Sequence, residues 1–179
     1  MGVKSAMARG LSSGLQPGLV LLNTTSFSAV SSFSLPTNTF TSTYSNYKLL
    51  VTLDSKSASG NLNLRFRVAG TDNTTNNYWS SQGGINNSGV YANGTGSNPG
   101  TAATFTATWN TTGGFIDLGI YRVGYSAKPS FQGFHQQSFG TVQQYVGGIL
   151  DDTIVADSLT ITSSAGTITG SYSVYGYNK

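Results

Sequence analysis

Apolar residues recur at every second position through most of the chain after Gly18, and no other feature limits the fold as much as this two-residue period. In YKLLVTL, Tyr47, Leu49, Val51 and Leu53 fall on one side of an extended segment, because successive side chains of a strand point to opposite faces. LNLRFRV repeats the pattern, with Leu62, Leu64, Phe66 and Val68 facing inward and Asn63, Arg65 and Arg67 outward. SFSAVSSFSL sets Phe27, Ala29, Phe33 and Leu35 on one side and ends at Pro36, which cannot donate to a sheet ladder. ATFTATW alternates Ala103, Phe105, Ala107 and Trp109 against threonines, and FIDLGIYRV reads as a central strand buried on both sides. KPSFQGFHQQSFG, VQQYVGGIL, SLTITS and TITGSYSVYGYNK add four more, the last two joined by the short SAG turn around Ala165.

Roughly nine to eleven short strands separated by turn residues predict an all-β chain, an antiparallel β-sandwich of jelly-roll type. The DSKSASG turn makes the strands around Val51 and Leu64 look like neighbours in a meander. Residues 18–179 form a single domain on this reading, interrupted by a long polar loop near 70–102, since 80–102 is mostly Gly, Ser and Asn. Residues 1–17 read as an extended N-terminal arm, with Val3, Met7 and Leu11 as its contact residues for a neighbouring subunit.

Only 8% of residues are charged and there is no Glu, so the predicted surface is solvated by hydroxyl and amide groups and suited to being covered. The net charge of +3 comes from scattered cations rather than a basic stripe, which argues against a nucleic-acid partner. The apolar run LVLL at 19–22 is too short for a signal segment or a membrane span, so no leader and no membrane partner are expected. The absence of cysteine leaves core packing and subunit contacts to hold the fold.

Catalytic patterns are missing from the sequence. The single histidine, His135, has no G-x-S-x-G elbow to serve and reads as a polar residue of a strand or loop. Asp151 and Asp152 are adjacent, so on a strand they would point to opposite faces, and they read as turn residues rather than a glycosidase pair. A calcium site built from Asp151, Asp152 and Asp157, or from Asp72 with Asn73, lacks the EF-hand spacing and gives way to Asx-turn chemistry. No catalytic residue, metal site or cofactor is therefore expected. Sugar recognition is the rival reading, through Tyr78, Trp79 and Tyr91 in or beside the polar loop, with Trp109 nearby. The paired arginines Arg65 and Arg67 suggest a sheet-to-sheet or subunit contact, with Asp54 or Asp117 as partner within the chain.

The runs GLVLLNTTSFSAVSSFSLP, FTSTYSNYKLLVTLDSKS, LNLRFRVAGTDNTTNNYW and TITGSYSVYGYNK together resemble small virion structural proteins of tailed bacteriophages, including those of marine and cyanobacterial phages. The resemblance rests on Phe40, Tyr44 and Tyr47 before a strand, on an L-x-L-R-F-R-x-x-G strand, and on the closing pair Tyr175 and Gly176. It covers about the first 80 residues and the last 15, and residues 80–150 match nothing in that group. The resemblance implies a non-enzymatic structural protein located in the virion. Its partners would be copies of itself, as a homotrimer, and other virion proteins such as the major capsid protein. Capsid decoration by many weak contacts is the leading expectation, and a tail-fibre or appendage domain that binds host-surface glycan is the alternative.

Overall fold

The computed structural model describes residues 18–178 apart from 87–88, 94–99, 110 and 138–141. The alternation builds two antiparallel sheets packed on one core. The larger sheet runs in the order β1 (Leu19–Val30), β15 (Ile168–Tyr177), β3 (Asn46–Lys56), β9 (Thr112–Tyr121), β11 (Ser130–Gln137), β12 (Val142–Leu150), β6 (Tyr78–Asn86) and β7 (Gly89–Asn93). The smaller sheet runs β2 (Ser32–Ser34), β14 (Ser158–Ser163), β4 (Gly60–Val68), then β5 (Thr71–Asp72) at one end of the far edge of β4 and β8 (Ala103–Trp109) at the other. A two-strand ribbon, β10 (Ser126–Ala127) with β13 (Ile154–Val155), lies apart. The chain is an all-β sandwich, and all the strand pairs among the described residues are antiparallel.

The core lies between the inward rows of the two sheets. Tyr47, Leu49, Val51 and Leu53 of β3 are buried with Ile116, Leu118 and Ile120 of β9, and Leu62, Leu64 and Phe66 of β4 with Leu159 and Ile161 of β14 complete the packing. Each such side chain stabilises the fold by about 1.5–3 kcal/mol over an exposed one. Tyr78 ties the layers together: from β6 its hydroxyl accepts the Phe66 amide of β4 at 2.9 Å and donates to the Asn73 carbonyl at 3.1 Å.

Four expectations change. The strands around Val51 and Leu64 are not meander neighbours, because β3 belongs to the large sheet and β4 to the small one. Their apolar rows face each other across the core instead of lying side by side. The DSKSASG segment is thus a crossover, held by Lys56, which is 3% exposed and donates from Nζ to the carbonyls of Ala58 (2.7 Å) and Gly60 (3.1 Å). The SAG turn is a second crossover, from β14 back to β15, and the two are bonded together: Ser57 N to Thr167 O at 2.9 Å, Asn61 N to Ser164 Oγ at 2.7 Å.

SFSAVSSFSL is likewise two strands in two sheets. A bulge falls between Phe27 and Val30. Ala29, small enough to tolerate a left-handed φ of 51°, turns the chain there. Phe27 then stacks on Phe33 with ring centroids 4.6 Å apart. The polar loop expected near 70–102 contains β6 and β7 instead, and β6 pairs with β12 over nine residues. Gly84 permits close backbone approach, since a Cβ there would collide with the Gln143 carbonyl. FIDLGIYRV is central, between β3 and β11, but buried on one face only: Phe115 is 42% exposed.

Candidate binding face

Directly opposed residues of neighbouring strands share a face, so the register maps the outer surface of the large sheet in rows that cross the strands. One row runs Lys48, Gly119, Gln132, Gly147, Ser81 from β3 to β6. On one side of it stand Asp117, Phe134, Tyr145 and Gly83, and on the other Tyr177, Asn46, Tyr121 and Ser130. Two glycines and a serine leave the middle row low, with Phe134 and Tyr145 standing on one side of it and Tyr121 reaching over Gly119 from the other. The result is a groove of about 720 Å³ lined by Lys48, Asp117, Tyr121, Phe134, Tyr145 and Tyr177 among others.

Tyr121 is set by its neighbours. A Cβ on Gly119 would clash with Tyr121 Oη and lie 2.7 Å from Cζ, so the ring lies down over the bare glycine backbone. Gln132 Nε2 donates to Tyr121 Oη at 3.3 Å, fixing the hydroxyl from the neighbouring strand. Lys48 Nζ lies 2.9 Å from Asp117 Oδ2. The hydrogen bond to Asp117 raises the Lys48 pKa above the usual lysine value, outweighing the opposing effect of burial, so the groove holds one cation and one anion that cancel. On the other wall Phe134 stands between Phe115 (centroids 5.7 Å) and Tyr145 (5.6 Å).

Tyr145 is 74% exposed in mid-strand, an unusual state for a ring of that size. These rows carry Leu19, Leu21, Trp79 and Tyr177 as well, and the next row, Phe115, Gln136, Gln143 and Ile85, adds Phe115 and Ile85, so seven of the ten large exposed hydrophobics among the described residues belong to this face. The remaining three, Val68, Tyr125 and Val155, lie elsewhere.

Arg65 and Arg67 lie on the outer face of the small sheet, and their partner is Asp72 of β5 rather than Asp54 or Asp117. Arg67 Nε is 3.2 Å from Asp72 Oδ1 and Arg65 Nη1 is 3.9 Å from Oδ2. Thr160 Oγ1 donates to Asp72 at 2.6 Å, and Arg65 Nε donates to the Thr101 carbonyl at 3.0 Å. Asp117 is instead held by Lys48. Val68, expected inward, is 39% exposed where β4 ends.

The three rings expected to contact glycan do not form one site. Tyr78 is 2% exposed in the core, Trp79 is 39% exposed on the outer face of β6, and Tyr91 is on β7 with its side chain outside the described residues. Val3, Met7 and Leu11 also lie outside them. His135 is fully buried with Nε2 hydrogen-bonded to Gln144 Oε1, and burial pushes its pKa down to about 4. Asp151 pairs with Lys128. Asp152 accepts from Asn77 Nδ2 at 2.7 Å, and Asp157 accepts from Ser158 Oγ at 2.7 Å. Among the described residues, no cluster of three His, Cys, Asp or Glu side chains that could hold a metal is present.

The groove residues Tyr121, Phe134 and Tyr145 were not singled out by the sequence. A local signal existed in VQQYVGGIL, where Tyr145 alternates against buried Gln144 and Val146, but the rows depend on which strands pair. Comparisons with protein-family models, curated proteins and solved structures find no match.

Proposed function

We propose that this chain is a non-enzymatic structural protein of a tailed-bacteriophage virion, carried on the particle as a docking module that works through the outer face of its large sheet. The observation that carries the reading is the concentration of exposed rings and aliphatic side chains on that face. A free-standing sandwich normally turns polar residues outward, and large rings left exposed on one face are maintained when something docks there. The resemblance of about the first 80 residues and the last 15 to phage virion proteins supplies the setting. The engaged carboxylates and the enclosed His135 fit a role in binding better than one in proton transfer.

Of the two placements, the groove favours a tail-fibre or appendage domain that meets host-surface glycan over a capsid cement subunit. Cement needs broad contact with the shell, whereas a cleft with rings on both walls suits a slender ligand. A homotrimer would present three such clefts together and multiply a weak affinity. Gold-labelled antibody on purified particles, together with quantitative densitometry, tests the placement. Few copies located at the tail are the expected result. Hundreds of copies over the shell would return the protein to capsid decoration, and absence from purified particles would overturn the virion reading.

A further inference from the structure

Resting on that docking face, the geometry points to a short neutral oligosaccharide as the groove's ligand, with Tyr121 as stacking platform, Tyr145 as opposing wall and the Lys48–Asp117 pair as the group that reads adjacent hydroxyls. Four features select this class. The groove crosses four inter-strand steps, about 19 Å at ~4.8 Å per step, which is a run of several rings rather than one. Its volume of about 720 Å³ lies within the usual ~300–1,000 Å³ of small-molecule sites. Tyr121 lies over Gly119 with its hydroxyl anchored by Gln132, and a flat aromatic surface matches the C–H face of a pyranose. Finally, Lys48 and Asp117 stand 2.9 Å apart, so a diol can donate one hydroxyl to the carboxylate and accept from the ammonium with the other.

The same chemistry excludes other occupants. A polyanion such as nucleic acid needs uncompensated cations along its path, and the one lysine here is matched by one aspartate. A purely apolar ligand would leave the ion pair and the Gln132 amide desolvated without new partners. A second copy of the chain would need a broad flat apolar contact, whereas the exposed aliphatic side chains are split between Leu19 and Leu21 on β1 and Ile85 on β6, towards opposite ends of the sheet.

The test uses the purified full chain and a panel of cellotriose, maltotriose, xylotriose and chitotriose, followed by calorimetry and by quenching of intrinsic fluorescence. At least one trisaccharide is expected to bind with a Kd in the range ~10 µM to 1 mM. Tyr145→Ala and Gly119→Ala should each weaken that binding by about tenfold or more, the second by lifting the Tyr121 ring off its seat. Tyr125→Ala, which removes an exposed ring off this face, should leave it unchanged. Circular dichroism verifies that each variant is folded, and Tyr145→Ala is the milder change because that ring is 74% exposed, whereas Gly119→Ala must displace the Tyr121 ring. Failure of every trisaccharide to bind, or binding indifferent to both groove variants, overturns the assignment. Tyr145→Ala dissociating an oligomer without affecting sugar binding overturns it too, in favour of a self-contact. Each of these results can coincide with tail-located protein, so the ligand can fail while the virion reading stands; a sugar-binding chain absent from particles is the reverse.

Discussion

His135 and Lys56 are polar side chains placed where water does not reach, and each stabilises the fold on a different condition. The imidazole is kept neutral by burial, its pKa pushed down to about 4 although the hydrogen bond to Gln144 acts upward. The unfolded chain, with an ordinary value near 6.5, takes up a proton first as pH falls, so the contribution is complete above about 6.5 and is lost on the way down to about 4. The slope is at most about 1.4 kcal/mol per pH unit. Urea midpoints measured at pH 7 and pH 5 should therefore fall on acidification, and His135→Gln should flatten that difference even if it lowers both values. Lys56 works through geometry: its ammonium satisfies two carbonyls in the first crossover. Lys56→Met keeps the length and removes the donor, leaving the Ala58 and Gly60 carbonyls without it. A loss of about 1–2 kcal/mol by chemical denaturation is expected, part of the hydrogen-bond energy being offset by the relieved cost of burying a charge.

At the scale of strands and connections, the alternation located the buried rows with few errors and could not say which strands pair. Tyr47, Leu49, Val51 and Leu53 are buried as read, as are Leu62, Leu64 and Phe66. Period two fixes a strand's faces but not its neighbours, and two apolar rows joined by a short segment can lie side by side or face to face. Both short connections, through Lys56 and through Ala165, took the second course and are hydrogen-bonded to each other. β6 was hidden for a different reason. Its Gly and Ser residues have low strand propensity, and pairing with β12 overrides that preference. The groove was illegible for both reasons, since its floor includes Ser81 of β6 and its rows follow the strand order. Gly84 separates the two readings of residues 78–86. In a loop Gly84→Ala would be nearly neutral or mildly stabilising. Between backbones that a Cβ would strike, it should destabilise by more than about 2 kcal/mol and speed amide exchange along β6 and β12.

For the molecule as a whole, the scarcity of charge is the property that reaches furthest. With 8% of residues charged and a net charge of +3, stability rests on the core and on ladder hydrogen bonds. The ion pairs among the described residues join Lys48 to Asp117, Arg65 and Arg67 to Asp72, and Lys128 to Asp151, all at partly exposed positions. Pairs of that kind contribute about 0–1 kcal/mol each and are screened over about 10 Å at 0.1 M salt. Moving from 50 mM to 1 M NaCl should therefore shift the Tm by no more than about 3 °C. The same reasoning carries over to recognition. A neutral oligosaccharide held by rings and a self-cancelling ion pair releases few counterions, so its Kd should change by less than about threefold between 50 mM and 500 mM NaCl. An anionic ligand held by Lys48 as a lone cation would instead release about one counterion and lose roughly tenfold over the same range. Titrating the preferred trisaccharide across that salt series thus asks whether the groove's Lys48 acts as half of a neutral pair or as a lone cation, and a steep salt dependence would reassign the groove to an acidic glycan.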